Sequence, residues 1–311
     1  MKTTHVFPVA LSVLLLTPMA FADLWTAPTL VTEIQTGASE VSPFLTYDGL
    51  DLYFAREGKI FVATRPTTSS PFDSAQEITG LNQSGWTLSY PWVSPDKLRL
   101  YYYQSSGGSQ RVINVSSRGA VTDPWMVGNG VVELNDDLEP SRAVANPSLT
   151  PDELTIVFAG YNLFGGQGDF DIWMGTYNGI TDKFEDLKPL TSVNSGLADL
   201  HPRLSADGLT LYFASARDDP GNKIYDLYQA TRSDTGSAFG TPTLLSFFDE
   251  PGATVQYPFL SADGQEFYFA KGSVGGTLDI YVSHVVPVPG AVILGMLGLS
   301  VAGWRLRRSG N

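Results

Sequence analysis

Five copies of one short pattern, spaced at nearly equal intervals, constrain this 311-residue chain more than any other feature. Each copy has a proline, an aliphatic residue two positions later, Ser or Thr, an Asp, and then a β-branched or aromatic run. The prolines are Pro43, Pro91, Pro147, Pro202 and Pro258, which lie 48, 56, 55 and 56 residues apart. A period of this length that holds several short strands is typical of β-propeller blades.

Each repeat predicts a blade of four strands, a to d. Strand a follows the proline, strand b is the run after the Asp turn, and strand c follows a Gly-rich loop. A short apolar segment after each of the first four c strands is read as strand d. The Asp side chain in the a–b turn can accept backbone N–H groups, and a following Gly tolerates positive φ. The turn residues are Asp48, Asp96, Asp152, Asp207 and Asp263.

The fifth repeat has no strand d after it, whereas the segment 24–36 near the start of the chain reads as an unmatched strand d. This segment is similar to 239–246, because both have an aromatic residue, a Thr-Pro or Ala-Pro step and alternating apolar positions. The sequence therefore predicts an all-β fold over residues 23–285. We expect a five-bladed β-propeller of four-stranded antiparallel blades, closed by the N-terminal strand.

The repeats resemble those of TolB-type, WD-like β-propeller proteins. The resemblance is carried by the Ser/Thr-Pro-Asp-Gly region and by the Asp-Ile-Tyr strand, as at 279–281, and it extends over residues 24–285. It implies the propeller fold. It says little about activity, because this fold hosts many unrelated functions.

The first 22 residues are typical of a secretory signal peptide. Lys2 is followed by an uncharged segment over 6–22 that ends in Ala20-Phe21-Ala22, the small-x-small pattern of a cleavage site. A buried N-terminal helix is the alternative interpretation.

The last residues carry a second export feature over 286–311. An uncharged segment, 285–304, is followed by Arg305, Arg307 and Arg308. This arrangement resembles a PEP-CTERM sorting signal, although Val288 stands where that motif has an acid. The resemblance implies a sorting enzyme acting on the tail, contact with the membrane through residues 290–304, and delivery to the cell envelope or extracellular matrix. A permanent membrane anchor is the alternative.

The charge balance excludes one class of partner. The whole chain has a net charge of −13, and residues 23–285 hold 15 basic and 32 acidic residues, a net charge of −17. Nucleic acid binding needs clustered Lys and Arg, so we expect no nucleic acid partner. The chain has no cysteine, which excludes disulfides, thiolate metal sites and cysteine nucleophiles.

Propeller topology predicts where a ligand would bind. The d–a and b–c loops share one face, called here the top, and the residues preceding the repeat prolines should ring the channel mouth on that face. A buried Arg203 needs a partner, and Glu40 or Asp199 could supply it as a polar site or as a structural ion pair. The candidate ligand-binding residues are Glu40, Tyr90, Asn146, Asp199, His201, Arg203 and Tyr257.

Metal and catalytic chemistry have weaker signals. Only two histidines follow the signal peptide, so we expect no zinc or iron site. Calcium is the one metal that acidic loops at Asp136-Asp137 or Asp218-Asp219 would suit, with turn capping as the alternative. We assign no catalytic residue and no cofactor. A glycosidase would need two carboxylates, and the inner strands carry none, so the top loops would have to supply them. The acids in those loops are Glu40, Glu139, Asp199 and Glu250.

The sequence favours an exported, non-catalytic propeller that binds a protein or a polysaccharide. A glycoside hydrolase is the alternative if the chain is an enzyme, and a purely structural matrix protein is the third interpretation.

Overall fold

The computed structural model describes residues 25–106, 111–135, 142–219, 221 and 224–286. Residues Trp25–Val285 form one compact unit that contains five separate four-stranded antiparallel sheets. The innermost strand of each sheet contacts that of the next, and the fifth contacts the first, so the sheets form a ring. This confirms the predicted all-β, five-bladed propeller.

The strands follow the chain in blade order after β1 (Thr29–Leu30). Blade 1 contains β2 (Glu40–Leu45), β3 (Asp51–Arg56), β4 (Lys59–Thr64) and β5 (Gln76–Glu77). Blade 2 contains β6 (Thr87–Val93), β7 (Arg99–Ser105), β8 (Arg111–Ser117) and β9 (Asn129–Gly130). Blade 3 contains β10 (Ala143–Leu149), β11 (Thr155–Tyr161), β12 (Phe170–Asn178) and β13 (Lys183–Pro189). Blade 4 contains β14 (Asp199–Leu204), β15 (Thr210–Ser215), β16 (Asp226–Thr231) and β17 (Thr243–Leu244). Blade 5 contains β18 (Ala253–Leu260), β19 (Glu266–Ser273) and β20 (Leu278–His284).

The N-terminal strand closes the ring, as predicted. β1 pairs antiparallel with β20 and so supplies the outer strand of blade 5. Trp25 forms a further antiparallel bridge with Val285, and its buried indole packs edge-on against Phe267. The two ends of the unit are therefore fastened to each other by backbone hydrogen bonds and by aromatic packing.

The turn between strands a and b repeats the predicted hydrogen-bond network in every blade. In blade 1, Thr46 Oγ1 donates to Asp48 Oδ1 at 2.7 Å, and the backbone N–H of Leu50 donates to the same oxygen at 3.2 Å. The same two bonds recur around Asp96, Asp152, Asp207 and Asp263. The repeated Asp is thus explained by turn capping.

Ion pairs connect neighbouring blades through the residue that follows the turn Asp. Lys97 and Glu153 take the left-handed conformation there, each with φ of 58°, where blade 1 has Gly49. Lys97 Nζ lies 2.6 Å from Asp51 of blade 1, and Glu153 binds Arg99 of blade 2. Their side chains therefore join adjacent blades at positions where glycine would be less strained.

An arginine at the end of strand c packs on an aromatic ring seven residues later in three blades. The guanidinium carbon lies 4.6, 4.0 and 4.6 Å from the ring centroids in the pairs Arg65–Phe72, Arg118–Trp125 and Arg232–Phe239. Each arginine also donates its Nε–H to a backbone carbonyl of the a–b turn of its own blade. In blade 3, a Tyr177–Phe184 contact takes this place.

None of the helices in the described part of the chain is long and apolar enough to cross a membrane. The predicted signal peptide, 1–22, lies outside the described residues. The predicted sorting segment, 286–311, lies outside them apart from Val286.

Replacing Trp25 with Ala should weaken ring closure. We expect Trp25→Ala to lower the free energy of unfolding in urea by about 3–5 kcal/mol, because a buried aromatic side chain is lost at the seam. Phe164→Ala is the matched control, since that ring is 92% exposed and should change stability by less than about 0.5 kcal/mol. If Trp25→Ala and the unmodified chain had the same midpoint of urea unfolding, closure of the ring by the N-terminal strand would be contradicted.

The left-handed conformation of Glu153 predicts an unusual order of stabilities. Glu153→Ala and Glu153→Gly both remove the carboxylate that binds Arg99, but only alanine retains the backbone strain. We expect the alanine variant to be less stable than the glycine variant by about 1 kcal/mol in urea unfolding. The reverse order would show that φ at this position is not a source of strain.

Candidate ligand-binding site at the channel mouth

A β-bulge in the inner strand of every blade directs one side chain into the channel. The residue before each repeat proline has φ between 54° and 59°, and the strand register shifts by one residue at that point. A bulge of this kind turns the bulged residue away from the normal strand alternation. The five residues are Ser42, Tyr90, Asn146, His201 and Tyr257.

Three of these side chains meet in the centre of the ring although they come from blades 2, 4 and 5. The His201 imidazole stacks on the Tyr257 ring with 3.9 Å between centroids and 15° between planes. The Tyr90 hydroxyl lies 3.1 Å from His201 Nε2, and its ring lies 5.7 Å from that of Tyr257. His201 is buried, whereas both tyrosines remain partly exposed. We call Tyr90, His201 and Tyr257 the mouth cluster.

The other two bulge residues complete the polar edge of the mouth. Ser42 Oγ lies 3.2 Å from Ser89 Oγ, and Asn146 Oδ1 accepts a hydrogen bond from the backbone N–H of His201 at 3.4 Å. Asn146 Nδ2 and His201 Nδ1 are buried and have no hydrogen-bond partner.

Burial keeps the mouth cluster uncharged at neutral pH. Burial, with a smaller contribution from nearby Arg203, lowers the pKa of His201 to about 3. Burial also raises the pKa values of Tyr90 and Tyr257 above their usual range. The cluster therefore offers ring faces and neutral hydrogen-bonding groups to a ligand.

Below the mouth cluster, the residues that follow the prolines fill the channel. Arg203 spans this layer, donating from Nη1 to Pro147 O at 3.3 Å and from Nη2 to Pro91 O at 3.1 Å. Its guanidinium also lies over the Phe44 ring at 5.7 Å. The layer consists of Phe44, Trp92, Ser148, Arg203 and Phe259, all of which are buried.

Neither acid predicted as a partner of Arg203 binds it. Glu40 accepts a hydrogen bond from Arg56 Nε at 2.8 Å, and Asp199 accepts one from Arg217 Nη2 at 2.6 Å. Strand pairing explains the first contact, since Glu40 lies opposite Arg56 in the β2–β3 register. Glu40 and Asp199 therefore form ion pairs within their own blades, and the structure does not bring either acid to Arg203.

The described acidic loops give no sign of a calcium site. Asp218 accepts a hydrogen bond from the Tyr228 hydroxyl, and no group of three or more Asp, Glu or His in the described residues has the geometry to hold a metal ion. Asp136, Asp137 and the glycosidase candidate Glu139 lie outside the described residues. Glu250, the remaining glycosidase candidate, is exposed and pairs with Lys271 at 2.6 Å.

The larger clefts lie between blades, away from the mouth cluster. One of about 750 Å³ separates blades 2 and 3 and is lined by Tyr101, Tyr177 and Phe184. Another, of about 560 Å³, lies between blades 1 and 5 beside Arg65 and Glu266. Both clefts include residues of the a–b turns, which form the face opposite the mouth.

Sequence reasoning missed Tyr103 at the mouth. Its ring packs edge-on against Tyr90 with centroids 5.7 Å apart. Tyr103 lies opposite Ser89, the residue before Tyr90, in the β6–β7 register. The signal was present, because alternation along β7 places Tyr101 and Tyr103 on the same side of the sheet.

No protein-family model matches the chain, and no curated protein matches it. Solved structures share its architecture at low identity. A GH43 endo-arabinanase from Bacillus licheniformis is 13% identical with a TM-score of 0.55, covering 82% of this chain and 97% of its own. An α-L-arabinofuranosidase from Podospora anserina is 8% identical with a TM-score of 0.56, covering 85% and 97%. A structure assigned to TolB of Agrobacterium tumefaciens is 14% identical with a TM-score of 0.50, covering 84% and 97%. These similarities show a shared propeller fold.

Asp226 at the start of β16 should make stability depend on pH. Burial, together with Asp249, Asp218 and Asp219, raises the pKa of Asp226 to about 6. The folded state therefore holds this proton more tightly than the unfolded state, and stability falls as pH rises from 4 to 7. We expect Asp226→Asn to be more stable than the unmodified chain by about 1–3 kcal/mol at pH 7, with little difference at pH 4.

Urea unfolding at both pH values checks this expectation. Asp234→Asn is the control, because Asp234 is exposed and hydrogen bonds lower the pKa of its carboxyl group. If Asp226→Asn raised the free energy of unfolding as much at pH 4 as at pH 7, the effect could not be assigned to ionisation of Asp226.

Proposed function

We propose that this chain is a non-catalytic binding protein whose mouth cluster recognises an extracellular polysaccharide. The single observation that carries the proposal is the convergence of Tyr90, His201 and Tyr257 from three blades onto the channel mouth. Fold alone would not require these residues, since glycine adopts the same backbone conformation without strain. Large aromatic side chains at strained positions indicate that their rings serve a purpose other than building the strand.

The chemistry of the cluster suits sugars. Aromatic rings offer apolar faces for the C–H face of a pyranose ring, while tyrosine hydroxyls provide hydrogen bonds at the edge. The cluster is uncharged at neutral pH, so it would favour neutral hydroxyl groups over ionic ligands. A protein partner is the competing interpretation, which the experiment below separates from a glycan.

A glycoside hydrolase remains the alternative, supported by the architecture shared with an endo-arabinanase and an α-L-arabinofuranosidase. Two features of the described residues argue against it. Glu40 and Asp199 are fully buried and bound to arginines, so neither is free to act as acid or nucleophile. The mouth cluster itself contains no carboxylate, whereas hydrolysis requires a pair of them about 5–9.5 Å apart.

Both ends of the propeller unit, Trp25 and Val285, lie on one face of the ring. Val285 donates its N–H to Gln265 O in the a–b turn of blade 5, and Trp25 pairs with Val285. The chain therefore enters and leaves the propeller on the face opposite the mouth. Export directed by residues 1–22 and delivery through the tail segment, residues 286–311, are part of this proposal and rest on the sequence features alone.

Glycan-array binding with the full chain tests the proposal. Tyr257→Ala should weaken binding by about two- to tenfold, because loss of an aromatic stacking contact costs about 0.5–1.5 kcal/mol. Tyr281→Ala is the control, since that tyrosine lies in the outer part of blade 5 and should leave binding unchanged.

Three outcomes would overturn the proposal. Release of reducing sugar ends that is lost in Glu40→Gln or Asp199→Asn would show an enzyme. Glycan affinity that is the same in Tyr257→Ala and in the unmodified chain would place the binding surface elsewhere, and binding of proteins alone would exclude the polysaccharide.

A further inference from the structure

Arg203 reaches across the channel to a blade that is not its neighbour. It lies on β14 of blade 4, and its Nη2 donates to Pro91 O on β6 of blade 2 at 3.1 Å. Its Nη1 donates to Pro147 O on β10 of blade 3 at 3.3 Å. One guanidinium group therefore binds the backbone of two other inner strands and holds three blades together at the centre of the ring.

The bond to blade 2 lies next to a contact within the mouth cluster. Pro91 directly follows Tyr90 in the chain. Arg203 lies two residues after His201, whose Nε2 is 3.1 Å from the Tyr90 hydroxyl. The strands β6 and β14 are thus joined twice, once by side chains of the mouth cluster and once by the guanidinium. Because the two contacts are only one or two residues apart, loss of the guanidinium would free the backbone that carries the rings.

The bond to blade 3 has the same relation to the mouth. Pro147 directly follows Asn146, whose side chain accepts the backbone N–H of His201 at 3.4 Å. On the other side of Pro147, Ser148 Oγ accepts the N–H of Leu204 at 3.1 Å. The guanidinium bond to the Pro147 carbonyl lies between these two contacts in the sequence of β10. The strands β10 and β14 are therefore held together at three successive positions beside the mouth.

The two proline carbonyls explain why an arginine stands in this layer. Pro91 and Pro147 are buried, and a buried carbonyl without a donor costs free energy. Phe44 and Phe259, at the equivalent positions of blades 1 and 5, have no N–H or O–H group in their side chains. Arginine presents several N–H groups in a rigid planar fork, whereas the lysine ammonium is a compact point charge. An arginine can therefore bind two carbonyls on different strands in a fixed geometry.

We propose that Arg203 is the positioning residue of the mouth cluster. By binding the two proline carbonyls, it fixes the distance between the Tyr90 and His201 rings and thereby the surface that a ligand meets. Arg203 is itself buried, so it acts through the rings and not by contact with a sugar. This inference deepens the proposed function and rests on it only for the identity of the ligand, an extracellular polysaccharide.

Two substitutions separate the geometry of Arg203 from its charge. Arg203→Met has a similar length and no donor, and it should fold, because an apolar side chain replaces a buried charge that is itself costly. Arg203→Lys keeps the positive charge and loses the fork. Trp25→Ala is the control for loss of stability, since it weakens the ring at the blade 5 seam, on the face opposite the mouth.

A measurement without sugar reports the position of the His201 ring. Its imidazole stacks on Tyr257 with 3.9 Å between centroids, so its Hε1 resonance should carry an upfield ring-current shift in histidine NMR of the full chain at pH 7. His201→Gln assigns the resonance by its absence. We expect both Arg203 variants to change this shift, because the ring is no longer held, and Trp25→Ala to retain it.

Glycan affinity is the functional measurement. We expect both Arg203 variants to weaken binding by about two- to tenfold, as does loss of one aromatic contact, whereas Trp25→Ala should keep the affinity of the unmodified chain. If the unmodified chain binds no glycan, the proposed function fails, and the NMR shift still decides whether Arg203 positions the mouth.

The proposal is overturned if the His201 shift is unchanged in Arg203→Met, or if Trp25→Ala changes it equally. A normal shift in Arg203→Lys would assign the effect to charge, and a normal glycan affinity in Arg203→Met would separate ring position from recognition. Either result contradicts the proposal. If Arg203→Met does not fold, Arg203→Lys and a crystal structure of the unmodified chain decide the question, and a guanidinium bound to neither carbonyl in that crystal overturns the proposal.

Discussion

The pairing of the first described strand with the last is the interaction on which the whole ring depends. Blade 5 obtains its outer strand only when β1 pairs with β20, and Trp25 and Val285 extend that seam towards the a–b turns. Without cysteine, the seam is held by backbone hydrogen bonds, by Trp25 packing on Phe267, and by Arg65 binding Glu266 across the blade 5–blade 1 boundary. At the four other boundaries between adjacent blades, the contacts are between blades that follow each other in the chain. Closure is therefore the step that turns an array of sheets into a rigid ring with a defined centre.

The centre of that ring is filled in two layers with different chemistry. The upper layer holds neutral aromatic and amide groups from the bulge residues, and the lower layer holds Phe44, Trp92 and Phe259 around the one cation, Arg203. The layers are coupled, because Arg203 contributes to the low pKa of His201. The mouth cluster therefore lies directly above a packed layer that contains the buried cation Arg203. Because this layer fills the channel, the channel is not an open pore.

The repeat prolines and turn aspartates predicted both the blade count and the positions that line the mouth, because each repeat encodes one backbone unit. The contacts of individual side chains were less accessible from sequence. Arg203 was expected to bind an acid, yet it uses backbone carbonyls, which every residue possesses and no sequence pattern marks. The partner of Glu40 was not predicted, because Arg56 is placed opposite Glu40 by the strand register, and a one-residue bulge shifts that register. The arginine–aromatic spacing of seven residues was visible in the sequence and needed the fold to acquire meaning.

The bulges in the inner strands have the same backbone conformation although their side chains differ. Five left-handed residues, each followed by proline, hold their Cα atoms in equivalent places, whatever side chain they carry. Ser, Tyr, Asn, His and Tyr already occupy these places in one molecule, so the backbone accepts hydroxyl, amide, imidazole and phenol groups alike. The five bulge positions at the mouth can therefore carry different side chains without a change in the backbone. Substitutions at these positions offer a direct way to build propellers with new specificity while the blades stay the same.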